Sequence, residues 1–117
     1  MIVRANGPKD YFDQGLSKDR RGDFQGAIED LTKAIELDPK YAKAYFRRGF
    51  VKLTLGDFQG AIRDLTKAIE LDPMYTKAYN NRGYAKIGLG DFKGACEDWR
   101  RAGRLPIKDD WDLIKRY

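Results

Sequence analysis

The sequence predicts an all-α protein: one array of three helix–turn–helix repeats closed by a seventh, capping helix. Three observations carry this expectation. Asp38-Pro39 and Asp72-Pro73 recur at a spacing of 34, and Gly22-Asp23-Phe24, Gly56-Asp57-Phe58 and Gly90-Asp91-Phe92 recur at the same spacing. Residues 8–41 laid over 42–75 give 23 identities in 34 positions, and 42–75 over 76–109 give 15. Between these punctuation marks, small and apolar residues fall at helical intervals. The repeats take up residues 8–109 of the 117, so the chain reads as a single domain (repeat one 8–41, repeat two 42–75, repeat three 76–109) with a cap at about 108–117.

Repeat one keeps Tyr11, Gly15, Gly22, Ala27, Ala34 and Pro39, but has Gln14, Asp19 and Arg21 where repeat two has Arg48, Leu53 and Leu55. Those substitutions suit an exposed first helix. Repeat two shows the plan most clearly. Its first helix, about Ala42 to Leu55, sets Tyr45, Gly49 and Leu53 four apart, so that one large and one absent side chain let a neighbouring helix approach. A helical glycine costs about 1 kcal/mol relative to alanine, which close helix contact must offset. Gly56 suits a left-handed helix end and Asp57 an N-cap, so one helix stops and the next starts within two residues. The second helix, about Phe58 to Leu71, places Ala61, Ile62, Leu65, Ala68 and Ile69 at helical spacing. Asp72-Pro73 then stops it, offering a cap and a fixed φ to the next helix.

Repeat three keeps Tyr79, Gly83, Gly90, Ala95 and Ala102, with Trp99 as the aromatic of its second helix, but Leu105-Pro106 stands where Leu71-Asp72 stood, which puts a different exit there. In Lys108 to Tyr117, Trp111, Ile114 and Tyr117 form an apolar stripe against Asp109, Asp110, Lys115 and Arg116; it reads as a cap that solvates the end of the stack, with a partner-binding peptide as the alternative.

Composition narrows the chemistry. With no histidine, one cysteine (Cys96) and one serine (Ser17), the chain cannot build a Ser/His or Cys/His pair or a His-bearing zinc site. Cys96 stands where Ile28 and Ile62 stand and reads as a small core residue. The glycines of Gly88-Leu89-Gly90 and Gly94 follow from the repeat register rather than from a phosphate loop, and paired carboxylates such as Glu29-Asp30 read as outer-face charges. No enzyme, cofactor or metal is expected. Met1 to Asp10 lacks the apolar stretch of a secretory signal, and a lone cysteine demands no oxidising compartment, which favours the cytoplasm without membrane insertion.

The spacing Tyr45, Gly49, Gly56-Asp57-Phe58, Ala61, Leu65, Ala68, Pro73 resembles the tetratricopeptide repeat family. The resemblance implies a right-handed α-α superhelix whose concave face, lined by the first helix of each repeat, holds extended or helical peptides. The function it implies is that of a scaffold or adaptor binding a peptide segment of a partner protein. Candidate groove residues are Lys9, Phe12, Asp13 and Leu16 in repeat one, Lys43, Phe46, Arg47 and Phe50 in repeat two, and Lys77, Asn80, Asn81 and Tyr84 in repeat three. A phenylalanine fully covered by a partner contributes about 1.5–3 kcal/mol; Phe46 and Phe50 read as groove residues, with packing between repeats as the alternative. Asn81 occupies a place where family members often grip peptide backbone, and Arg47, one repeat earlier, could fork to a partner carboxylate. Family members that clamp acidic chaperone tails use a lysine and an asparagine where this chain has Phe12 and Leu16, which argues against that role.

The net charge of +5 is distributed as a gradient: 6 basic and 8 acidic groups in residues 8–41, 6 and 4 in 42–75, 7 and 3 in 76–107. It suggests an acidic partner toward the C-terminal half, or head-to-tail self-association of copies, while solvated outer faces are the favoured account. Nucleic acid is the third reading and is disfavoured, because Arg20-Arg21, Arg47-Arg48 and Arg100-Arg101 are dispersed and mixed with carboxylates. Repeats one and two also agree at Gln25/Gln59, Thr32/Thr66 and Lys33/Lys67, which read as exposed, so recent duplication or consensus design would explain the agreement.

Overall fold

A computed structural model describes residues 6–103. Six α-helices run through them: α1 (Pro8–Arg20), α2 (Phe24–Leu37), α3 (Ala42–Thr54), α4 (Phe58–Leu71), α5 (Thr76–Gly88) and α6 (Phe92–Arg101). Successive helices pack as the hairpins α1–α2, α3–α4 and α5–α6; α2 joins α3 and α4 joins α5, while α3 also touches both α1 and α5. The first helices of the three hairpins therefore share one side of a helical solenoid. The cap expected over 108–117, and the Leu105-Pro106 step, lie outside the described residues.

The tight turns obey local backbone chemistry. Gly22, Gly56 and Gly90 each adopt φ of +80°, the left-handed region that a side chain disfavours. In repeat two the Gly56 N–H donates to the Leu53 carbonyl and the Asp57 N–H to the Lys52 carbonyl, which satisfies the last carbonyls of α3. Asp57 then accepts from the Gly60 N–H at 3.0 Å, capping α4. Asp23 and Asp91 cap α2 and α6 in the same way. The Asp-Pro turns differ from expectation: the residue before α5 is Tyr75, without a side-chain cap, while Asp72 accepts from the Met74 N–H and so shapes the turn instead. Asp38 does the same for Lys40. The third repeat leaves the plan at Gly103, whose φ of +75° follows the end of α6, making it 10 residues long against 14 for α2 and α4.

Glycines mark where the hairpins close. A Cβ on Gly49 would lie 3.0 Å from Leu65 Cγ and 3.3 Å from the Ala61 carbonyl; one on Gly83 would lie 2.4 Å from Trp99 Nε1. Around these contacts sit fully buried Ala27, Leu31, Ala61, Leu65, Ala95 and Trp99. Cys96 is half-buried, as are Ile28 and Ile62.

The structure corrects the assignment of one carboxylate. Asp30 is 6% exposed, and its counterparts Asp64 and Asp98 are 4% and 1% exposed. Arg48 forks to both oxygens of Asp64, from Nε at 2.8 Å and Nη2 at 2.7 Å, and its Nη1 reaches Thr32 Oγ1 at 3.2 Å. Arg82 repeats the arrangement with Asp98 and Thr66. Lys52 and Lys86 complete the sites at 3.0 and 2.9 Å. Burial alone would raise Asp98, but the hydrogen bonds from Arg82 and Lys86 outweigh it and hold the carboxyl below its ordinary value. In repeat one Gln14 replaces the arginine, and Asp30 meets Lys18 at 2.8 Å. Each guanidinium thus ties its own hairpin to the preceding one, which gives Thr32 and Thr66 a packing reason for their identity.

Candidate functional site

The side shared by α1, α3 and α5 bears an open cavity of about 880 Å³. Phe12 and Leu16 from α1, Tyr41 from the turn before α3, Phe46 and Arg47 from α3 and Tyr75 from the turn before α5 contribute to its walls. Their placement follows from the repeat. Phe12 and Phe46 are one period apart, as are Tyr41 and Tyr75. The first phenylalanine stacks on the first tyrosine with ring centroids 5.1 Å apart and planes at 26°, and the second pair repeats this at 4.9 Å and 25°. Two aromatic pairs therefore bridge one hairpin to the next and face the same cavity. Burial pushes both tyrosine phenols above their ordinary values, and the charge of Arg47 partly offsets this at Tyr75.

The polar part of the lining is unbalanced. Lys40, Lys43, Arg47 and Lys77 contribute cations, and among the described residues none of them forms an ion pair. Asp38 and Asp72 are the carboxylates of the lining, and each is engaged by a backbone N–H of its own turn. Arg47 lies over the Phe46 ring at 5.8 Å.

Six of the twelve expected groove residues meet here: Phe12, Leu16, Lys43, Phe46, Arg47 and Lys77. Phe46 is only 6% exposed, so it packs between repeats while forming part of the wall. Phe50, 37% exposed, lies one turn further along α3, with its ring 6.5 Å from Phe46. Lys9 and Asp13 pair with each other at 3.0 Å on the exposed face of α1. Lys77, Asn80 and Tyr84 line a second, smaller cavity of about 290 Å³ with Thr76 and Ala102. The Asn80 carbonyl accepts from Trp99 Nε1 at 3.2 Å, and Tyr84 meets the Trp99 ring edge-on at 5.4 Å. Asn81 is half-buried and lines neither cavity. Tyr41 and Tyr75 were not among the expected residues. Their signal was a second tyrosine at the 34-residue period, two residues after each Asp-Pro.

Among the described residues no group of three or more His, Cys, Asp or Glu is placed to hold a metal ion. No helix among them is long and apolar enough to cross a membrane.

Two family models match the sequence, one described as TPR repeat over residues 20–56 and one as Tetratricopeptide repeat over residues 42–75. No curated protein sequence matches it. Among solved structures, MamA is 27% identical with a TM-score of 0.81, covering 95% of this chain but 62% of its own, so this chain spans about three fifths of that protein. The Arabidopsis OM64 TPR domain is 31% identical with a TM-score of 0.83, over 94% of this chain and 93% of its own. The second TPR of Spaghetti (RPAP3), bound to the HSP90 peptide SRMEEVD, is 30% identical with a TM-score of 0.82, over 86% and 94%. A period of 34 folded as three hairpins, with glycines where helices meet and full-length likeness to these domains, makes this chain a member of the tetratricopeptide repeat family.

Proposed function

We propose that the protein is an interaction scaffold that holds a peptide segment of a partner protein against the side formed by α1, α3 and α5. The observation that carries this reading is the open cavity of about 880 Å³, walled by two stacked aromatic pairs and rimmed by cations that form no ion pair among the described residues. Apolar walls supply affinity when covered, and a few polar groups orient the ligand. The second TPR of Spaghetti, similar over 94% of its length, is bound to a peptide, which supports the same use of this fold here. The reading is one of binding without catalysis, with no cofactor.

A photo-crosslinking residue in place of Arg47, compared with one in place of the exposed Gln59 on α4, tests it in native extract. A partner protein crosslinked from position 47 and not from 59 supports the groove. Equal crosslinking from both positions, or a product joining two copies of this chain, overturns it, the latter in favour of self-assembly.

A further inference from the structure

We infer that the occupant of the groove is an internal peptide segment that combines an apolar, preferably aromatic, side chain with two or more side-chain carboxylates. This rests on the groove reading and specifies its ligand. The apolar part follows from the walls: Phe12 stacked on Tyr41 and Phe46 stacked on Tyr75 contribute to the lining of one open cavity, with each ring pair already formed within the protein. A planar ring or a branched aliphatic side chain covers such walls without disturbing either pair.

The acidic part follows from charge complementarity. Four cations line the cavity without an ion pair among the described residues, whereas Lys18, Arg48, Lys52, Arg82 and Lys86 are all committed to buried carboxylates. The two carboxylates of the lining hold their own turns. The excess is therefore positive and available. Its distribution selects the kind of anion: Lys40 stands in the turn after α2, Lys43 and Arg47 one helical turn apart on α3, and Lys77 on α5. One terminal carboxylate offers two oxygens and leaves most of the four cations unpaired, while several side-chain carboxylates along a segment can pair them. Phe12 and Leu16 give the repeat-one end an apolar surface, so the hydrophobic anchor sits toward α1 and the acidic residues toward α3 and α5.

The experiment uses the full chain and fluorescein-labelled peptide pools with acetylated and amidated ends, read by anisotropy. One pool carries acidic residues around a central Phe or Trp; a second has Ser at the centre; a third has Lys at the acidic positions; a fourth has one Phe and a free C-terminal carboxylate as its only anion. The first pool is expected to bind at least about tenfold more tightly than the others. Arg47→Glu with Lys77→Glu should abolish that margin, and Leu16→Glu should remove binding of the first pool, each with an unchanged circular-dichroism melt. If the second, third or fourth pool binds as well as the first, the acidic-aromatic ligand is wrong, although sensitivity to Leu16→Glu would keep the groove. Binding insensitive to all three substitutions overturns the groove itself. So does the absence of binding from every pool at about 1 mM protein. Tighter binding of labelled single-stranded RNA, lost with the same charge reversals, overturns the peptide assignment in favour of nucleic acid.

Discussion

Asp98→Asn keeps the shape of the third repeat's ion site and removes its charge. Asp98 is 1% exposed and receives Arg82 Nε at 2.9 Å and Nη2 at 2.7 Å, with Lys86 Nζ at 2.9 Å. An amide there leaves one oxygen to accept and sets two cations against no anion. Breaking a buried pair from one side costs about 3–5 kcal/mol, and here the arginine and lysine side chains keep 11% and 19% exposure, so water reaches both and the lower end, about 3 kcal/mol, applies. That is a large share of the roughly 5–15 kcal/mol by which natural domains are stable. Urea unfolding followed by far-ultraviolet circular dichroism reads it as a lower midpoint at unchanged slope. Asp30→Asn is the internal comparison: the same position, with Gln14 for arginine and a single half-exposed lysine, should lose less. Equal losses at the two positions, or a loss at Asp98 below about 1 kcal/mol, as for an exposed pair, would refute the assignment of stability to the buried fork.

Because the Asp98 carboxyl is held below its ordinary value of about 3.9, its contribution is complete above that value and is lost as pH falls through the lower, folded-state one. Acid titration of the circular-dichroism signal should therefore show a shallower loss of stability below pH of about 4 in Asp98→Asn than in the parent. Gly83→Ala should destabilise by about 1–3 kcal/mol in thermal melts, since its Cβ would meet the rigid indole of Trp99 at 2.4 Å and overpacking outweighs the gain in helix propensity. Gly56→Ala should cost about 1–2 kcal/mol without any clash, because φ is +80° and nothing lies within 4 Å; a neutral result would show that the turn can change its conformation.

The elements were legible because their signals are local. Glycine and aspartate fix where α1, α3 and α5 stop and where α2, α4 and α6 start, so α3 ends one residue from its expected limit and α4 spans its expected residues. Gly49 and Gly83 announced close packing for the same reason: their cost needs a contact to offset it. The ion sites were not legible. Arg48 and Asp64 are 16 residues apart on different helices, and each taken alone reads as a solvated charge. The one available clue was joint, with Thr32, Arg48 and Asp64 recurring as Thr66, Arg82 and Asp98. The cavity lining was half legible. The family resemblance, with packing positions set aside, pointed to Phe12, Leu16 and Arg47, which line the cavity, but Tyr41 and Tyr75 belong to turns, where helix periodicity assigns no face. Phe46 shows why burial and lining are separate questions, since a side chain can be closed off by its neighbours and still shape the wall beside them.

The hydrogen bond from Arg48 Nη1 to Thr32 and that from Arg82 Nη1 to Thr66 give each seam a direction, with the donor always in the later hairpin. A further copy of residues 42–75 placed between repeats two and three would find both halves of this joint waiting: its arginine meets Thr66 and its threonine meets Arg82. Placed before Pro8 it would face Gln14, and placed after the third repeat it would face Arg100 in the threonine position. The array can thus be lengthened from its middle with the seam intact, whereas at either flank the same addition has to bring its own connector.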